Sequence, residues 1–222
     1  MNRRAATLAL AMIFLLPLMP LAARADSIPG PEIRTWGTYR YGTLDSITVA
    51  CLQYSGPYAL EYNGVNPPTG DIRADFTCPP DALVKVPFKG YYKPIPPPGE
   101  YAASLTDESE NGGFVMASNF RIAAMWITNP KDHSRTQHRP TIKIDTRGAK
   151  PGRTYTINVG GERLGYHHTF TLKPSQTSVS WRTPYLRCDW TGFCTAWVIR
   201  TGTDDPVSQM IDFHAVLPGP GH

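Results

Sequence analysis

The residues of this chain best suited to chemistry are four cysteines, a few histidines and some aromatic clusters. Cys188 and Cys194 flank only the five residues of CDWTGFC, a spacing that suits a disulfide across a hairpin. Cys51 and Cys78 are then left to pair within the first half. Zinc is the alternative use for four thiolates, but neither interval has the Cys-x-x-Cys spacing of structural zinc sites. An even count in an exported chain points to disulfides. Chain entropy assigns about 2 kcal/mol to the short loop and about 3.5 kcal/mol to the longer one. The short loop carries Trp190 and Phe193. Held at a braced tip, two aromatics cost little entropy to bind with, so both are candidate partner-binding residues. The competing use is to fold Trp190 back over the end of the fold.

Other groups are weaker. Tyr91 and Tyr92 open YYKPIPPPG, an extended polyproline segment that is either a docking strip with the two tyrosines as contacts or a stiff crossover. DESENG offers Asp107, Ser109 and Asn111 as calcium oxygens before Gly112, but the twelfth position is Ser118 where a bidentate Glu is needed. An acidic hairpin turn is the expected use. KDHSRTQHR, Lys131 to Arg139, is basic but lacks the aromatics of a nucleic-acid surface, and reads as a solvated loop. His167 and His168 are neighbours in a strand-like run, so they point to opposite faces and cannot share a metal unless the strand bends; His214 could join one of them. No nucleophile elbow, zincin, Walker or dinucleotide motif is present in the sequence. The reading assigns no catalytic residue, no metal and no cofactor.

The elements that must position these residues follow from the pattern of apolar positions. Residues 1–25 have a charged start at Arg3 and Arg4, an apolar run, and the small-x-small site Ala23-Arg24-Ala25, which together read as a cleaved signal peptide. The expected location is secreted or periplasmic, with no stable membrane insertion after cleavage. The chain has 22 basic and 18 acidic residues. Removing Arg3, Arg4 and Arg24 leaves 19 against 18, a net charge of +1, so nothing global suggests a nucleic-acid partner. Beyond residue 25, period-2 alternation dominates: SITVACLQY, YALEY, DIRADFTC, LVKVPF, EYAASL and FVMASNFRI follow one another with turn residues between. The chain reads as all-β. On parity, Val179 with Trp181, and Trp197 with Ile199, are expected to face a core.

The order of segments repeats. TIKIDTRGAKPGRTYTINVGG echoes SITVACLQYSGPYALEYNG, TFTLKPSQTSVSWRTP echoes ADFTCPPDALVKVPF, and AWVIRTGTDDPVSQMIDFHAV echoes GEYAASLTDESENGGFVMASNFRI. IRTW and AAMW precede the two units. Each unit is about 90 residues with around seven short strands, enough for two packed sheets. The pattern G-x-Y-x-x-x-L-x-D, then S-x-x-F-x-I, in GEYAASLTD…SNFRI resembles the last two strands of bacterial immunoglobulin-like domains. The resemblance implies two tandem immunoglobulin-like sandwiches; the repeat places them at residues 26–121 and 122–217, with Phe120 and Ile122 as the last inward residues of the first unit and a flexible tail expected at 218–222. It departs from antibody-type domains, since Cys51 and Cys78 are 27 apart with no Trp between them. The expected role is a non-catalytic binding or assembly protein with a protein or glycan partner. The alternatives are a secreted enzyme or toxin using the sandwich loops, and a periplasmic chaperone or accessory subunit of a surface structure.

Overall fold

The computed structural model describes residues 30–66, 72–88, 95–110, 112–161, 165–188 and 191–216. Eight strands fall in the first half: β1 (Glu32–Ile33), β2 (Gly37–Arg40), β3 (Ser46–Ala50), β4 (Gly56–Asn66), β5 (Ile72–Cys78), β6 (Leu83–Pro87), β7 (Gly99–Asp107) and β8 (Phe114–Ala123). Eight follow: β9 (Trp126–Asn129), β10 (Ser134–Gln137), β11 (Thr141–Asp145), β12 (Thr154–Gly160), β13 (Gly165–Thr171), β14 (Ser178–Arg182), β15 (Phe193–Arg200) and β16 (Ile211–Val216). The described residues contain no helix.

Alternation explains why these segments are strands. Tyr58, Leu60 and Tyr62 of β4 are buried on one face, as are Tyr101, Ala103 and Leu105 of β7 and Tyr155, Ile157 and Val159 of β12. A sheet with one apolar face must cover it. The three-stranded sheet β1-β3-β6 faces the five-stranded sheet β2-β8-β7-β4-β5, and Ile47, Val49 and Val86 pack against Leu60, Leu105 and Phe120 between them. The second half repeats this as β9-β11-β14 over β10-β16-β15-β12-β13, around Ile142, Ile144, Ile157, Val198 and Phe213. The two strand orders are the same, strand for strand. In each, the short strand β2 or β10 runs parallel to the last strand and every other pairing is antiparallel. This is an immunoglobulin-like sandwich used twice in tandem.

Register carries the duplication down to single residues. Leu60 lies opposite Leu105 and Ala74, and Ile157 lies opposite Val198 and His168. Two residues earlier in each strand, Tyr58 packs on Phe76 and Tyr155 on Phe170, with ring centroids 6.2 and 5.9 Å apart and 33° between planes in both. The matched openings IRTW and AAMW do not superpose this way. Ile33 and Ile127 are the equivalent pair, opposite Val49 and Ile144. Trp36 lies after β1 and is 70% exposed, whereas Trp126 opens β9.

The two copies are fastened differently. Tyr101 and Cys194 occupy the same register position, opposite Phe120 and Phe213. In the first copy the Tyr101 hydroxyl donates to the Pro97 carbonyl, pinning the crossover to the start of β7. In the second copy the Cys188–Cys194 disulfide makes that tie covalently. The other disulfide, Cys51–Cys78, joins the end of β3 to the end of β5 and so links the two sheets of the first copy. At the equivalent positions the second copy has Thr146, whose hydroxyl donates to the Gln176 carbonyl, and buried Leu172.

Two expectations are corrected. The Cys188–Cys194 bond does not close a hairpin: β14 and β15 belong to different sheets, and Cys194 is the second residue of β15. Phe193 is the first residue of β15 rather than a loop residue, half-buried with its ring edge-on to His214 at 5.3 Å. On β15 the core-facing residues are Cys194, Ala196 and Val198, so Trp197 and Ile199 face outward. The reason is the disulfide. Cys194 must turn inward to reach buried Cys188, and alternation then puts Ala196 and Val198 on the same side.

Replacing Cys51 and Cys78 by Ala should cost about 3.5 kcal/mol, against about 2 kcal/mol for the Cys188/Cys194 pair, by loop length alone. Chemical denaturation of each double variant checks the order. An equal or reversed pair of losses would mean that local strain, not loop closure, sets their value.

Candidate binding site

The outer face of the second copy's five-stranded sheet is partly exposed. β15 contributes Phe193, Thr195, Trp197 and Ile199 to that face. Asn158 on β12 lies opposite both Trp197 and His167. Asp212 and His214 come from β16, and Met210, 61% exposed, precedes it. His167 and Asn158 are joined through Nδ1 and Oδ1 at 2.6 Å, which fixes the imidazole on β12's outer face. Thr195 donates to Asp212 Oδ1 at 2.8 Å. Polar pairs thus lock the ground between the large apolar side chains.

The first copy shows what this face needs for folding alone. At the positions of Phe193, Thr195, Trp197 and Ile199 it has Glu100, Ala102, Ser104 and Thr106. The same scaffold therefore closes without large apolar residues there. Their presence on β15 is a property of the surface, not of the core.

The crossover into β15 sits close to this face. Gly192 takes a φ of +82°, and its carbonyl accepts from the Ala215 amide at 2.8 Å. A Cβ there would lie 2.7 Å from the Ala215 oxygen, so only glycine fits. Trp190, Tyr91 and Tyr92 lie outside the described residues. Of the proline-rich segment, Pro96 is buried and Pro97 accepts the Tyr101 hydrogen bond, which makes its described end a structural crossover.

The histidines do not converge. His167 faces outward, while His168 faces inward and stacks on Trp181 with ring centroids 5.2 Å apart. His214 stands against Phe193. Among the described residues no group of three or more His, Cys, Asp or Glu side chains is placed to hold a metal. At the β7–β8 turn, Asp107 Oδ1 accepts from the Ser109 amide, and the Gly112 amide donates to the Ser109 carbonyl. That is an acidic hairpin turn held by its own backbone.

The joint between the copies positions everything else. β8 ends at Ala123 and Met125 is already in the second core, so Ala124 alone separates them. The Asp145 carboxylate at the end of β11 accepts from Arg40 of the first copy and from Arg147, whose Nη2 lies 2.7 Å from Oδ2. Burial alone would raise the pKa of this carboxyl. Hydrogen bonds from Arg147 and Arg40 outweigh it and hold the pKa at about 2. Gly148 lies flat against Tyr41, and a Cβ there would come within 2.8 Å of the Tyr41 Cβ and 2.9 Å of the Ala124 carbonyl oxygen.

No protein-family model matches the chain, and no curated protein matches it. Among solved structures it is similar to a two fibronectin type-III domain segment from chicken tenascin, at 12% identity and a TM-score of 0.34, over 82% of this chain and 94% of that one. It is also similar to the FN1–FN3 domains of chicken CNTN1, at 14% identity and a TM-score of 0.28, over 84% and 65% of the two chains. A third likeness is to a tetra-tandem repeat in the extending region of a large adhesion protein, at 10% identity and a TM-score of 0.33, over 84% and 47%. The class of protein is defined by the strand order: a tandem pair of immunoglobulin-like β-sandwiches with one disulfide in each.

Asp145 links the joint to pH. Its folded pKa lies below the unfolded value of about 4, so its contribution is complete above that value and is lost as pH falls towards about 2. Allowing for solvent screening, the loss is about 1 kcal/mol. Thermal melts from pH 6 to 2 should show a shallower decline in Asp145→Asn than in wild type. Parallel curves would remove the carboxylate from the account.

Proposed function

We propose that this chain is an exported, non-catalytic binding protein that captures a protein partner on the outer sheet face of its second sandwich. The observation that carries the reading is the contrast between β7 and β15. One register template bears Glu100, Ala102, Ser104 and Thr106 in the first copy and Phe193, Thr195, Trp197 and Ile199 in the second. Large aromatics that a fold does not need, kept on a rigid face, are what recognition needs. Phe193 remains the site residue with a described place, and Trp197 and Met210 extend the surface around it. Trp190, three positions before Phe193 in the sequence, is proposed as a further contact; the two disulfides suit an oxidising compartment outside the cytoplasm.

A second reading has its own observation. Among the described residues β5 and β13 are edge strands of the five-stranded sheets, at the ends away from β2 and β10. Arg73 on β5 pairs with Glu61, Asp75 and Glu108, charges of the kind that blunt an edge. β13, GYHHTFT, has no charged carboxylate, lysine, arginine or proline. A partner strand added there would favour an assembly or chaperone role over side-chain capture on the face.

The double variant Phe193→Ser/Trp197→Ser should shift the melting temperature by no more than a few degrees. It should also lose the partner that wild type captures from its native extract, with the loss reproduced on the purified partner by calorimetry. A collapse of stability would make the two residues structural. Undiminished affinity would move the site elsewhere, and protection of β13 amides on partner binding would select the edge.

A further inference from the structure

A cleft of about 360 Å³ lies between the two sandwiches, at the other end of the second five-stranded sheet from the Cys188–Cys194 crossover. Its floor is apolar: Pro98, Ile122, Tyr155, Pro206 and Val207. Its charged groups are Arg121 and Glu100 from the first copy, with Lys150, Arg153, Arg200 and Asp205 from the second. Four cations stand against two carboxylates. Among the described residues none of the six is in an ion pair, whereas Arg34, Arg40, Arg73 and Arg147 elsewhere each engage a carboxylate directly.

Arg121 is the central group. It lies directly opposite Glu100 across β7 and β8, half-buried at the mouth of the joint. Burial pushes its pKa down, and the charges of Glu100 and Asp205 push it back without contact. A guanidinium stays protonated at neutral pH in any such setting. A half-buried guanidinium with its donors unspent is costly unless something accepts from it. The backbone around it is fixed: Tyr155 donates to and accepts from the main chain of Lys150 at 3.2 Å, holding the turn that carries Lys150 towards Arg153.

We propose that this cleft binds a small organic oxyanion, a carboxylate or phosphate ester carried on an apolar body, with Arg121 as its principal donor. The volume suits a ligand of about ten heavy atoms, within the range of about 300–1,000 Å³ usual for such sites. The apolar floor takes the body. Arg121, Arg153, Arg200 and Lys150 surround the anion, and Glu100 and Asp205 orient the guanidinium. Because walls come from both copies, the ligand also bridges the joint. The site is separate from the outer face of β15, and each stands or falls alone.

The probes are phenyl phosphate, benzoate, inorganic phosphate and benzylamine, titrated by calorimetry into the full chain. Phenyl phosphate or benzoate should bind saturably with a Kd of about 0.1–1 mM, and the stronger of the two names the oxyanion. Arg121→Met should weaken that binding about tenfold or more, Arg121→Lys less, and Arg182→Met, on the far three-stranded sheet, not at all. Inorganic phosphate should bind at least about tenfold more weakly than the ester, since it leaves the floor bare. The proposal is overturned by the absence of saturable binding up to about 10 mM, by equal binding of benzylamine or inorganic phosphate, or by unchanged affinity in Arg121→Met. If that variant instead lowers the melting temperature of the unliganded protein and leaves phenyl phosphate affinity untouched, Arg121 is electrostatic mortar between the sandwiches and not a ligand donor.

Discussion

The joint at Ala123–Met125 constrains the rest of the molecule. Tandem domains move relative to one another by default, because the interfaces between them are small and polar. Here the last strand of one sandwich runs into the first core residue of the next with Ala124 alone between them. Two contacts resist bending at that point. Arg40 reaches across to Asp145, and Gly148 leaves no room for a side chain between Tyr41, held on the end of β8 by its amide bond to the Ala123 carbonyl, and Ala124. A cleft walled by both sandwiches keeps its shape only if this joint keeps its angle.

Duplication then left two copies of one register with different outer faces. The core is held by the same positions in both, down to the Tyr58–Phe76 and Tyr155–Phe170 ring pairs. What differs is where each copy is pinned. The first pins its crossover with the Tyr101 hydroxyl and its sheets with Cys51–Cys78. The second pins its crossover with Cys188–Cys194 and lets Leu172 and Thr146 stand where the first has cysteines. The covalent tie in the second copy lies at the root of β15, the strand with the aromatic outer face. Anchoring that strand's start limits how far Phe193 can shift, which favours a fixed rather than adaptable surface.

Much of this was legible in the residues, and the failures have physical causes. Alternation located the strands, and the ordered echoes of segments gave the repeat, because period-2 burial is written into side-chain polarity. The face assignment of β15 was not legible. Both parities of FCTAWVIR are apolar, and the larger set, Phe193, Trp197 and Ile199, looks more like a core than Cys194, Ala196 and Val198. The core took the small set because Cys194 must turn inward to bond Cys188, and alternation carries Ala196 and Val198 with it. The spacing of CDWTGFC gave a bond but not a hairpin, since a six-residue separation fits a crossover equally well. The charges of the cleft were invisible, as Arg121 and Arg200 come from opposite ends of the fold's two copies and no local motif joins them. A comparison of β7 with β15 by register would have exposed the outer face, but register is a tertiary quantity.

If the joint keeps its angle, the two sandwiches tumble as one rigid body, and amide ¹⁵N relaxation across the described strands reads this out. A single rotational diffusion tensor should fit the amides of β1–β8 and of β9–β16 together. Two tensors with distinct correlation times would show a flexing joint, and with it a cleft that has no fixed shape to recognise anything.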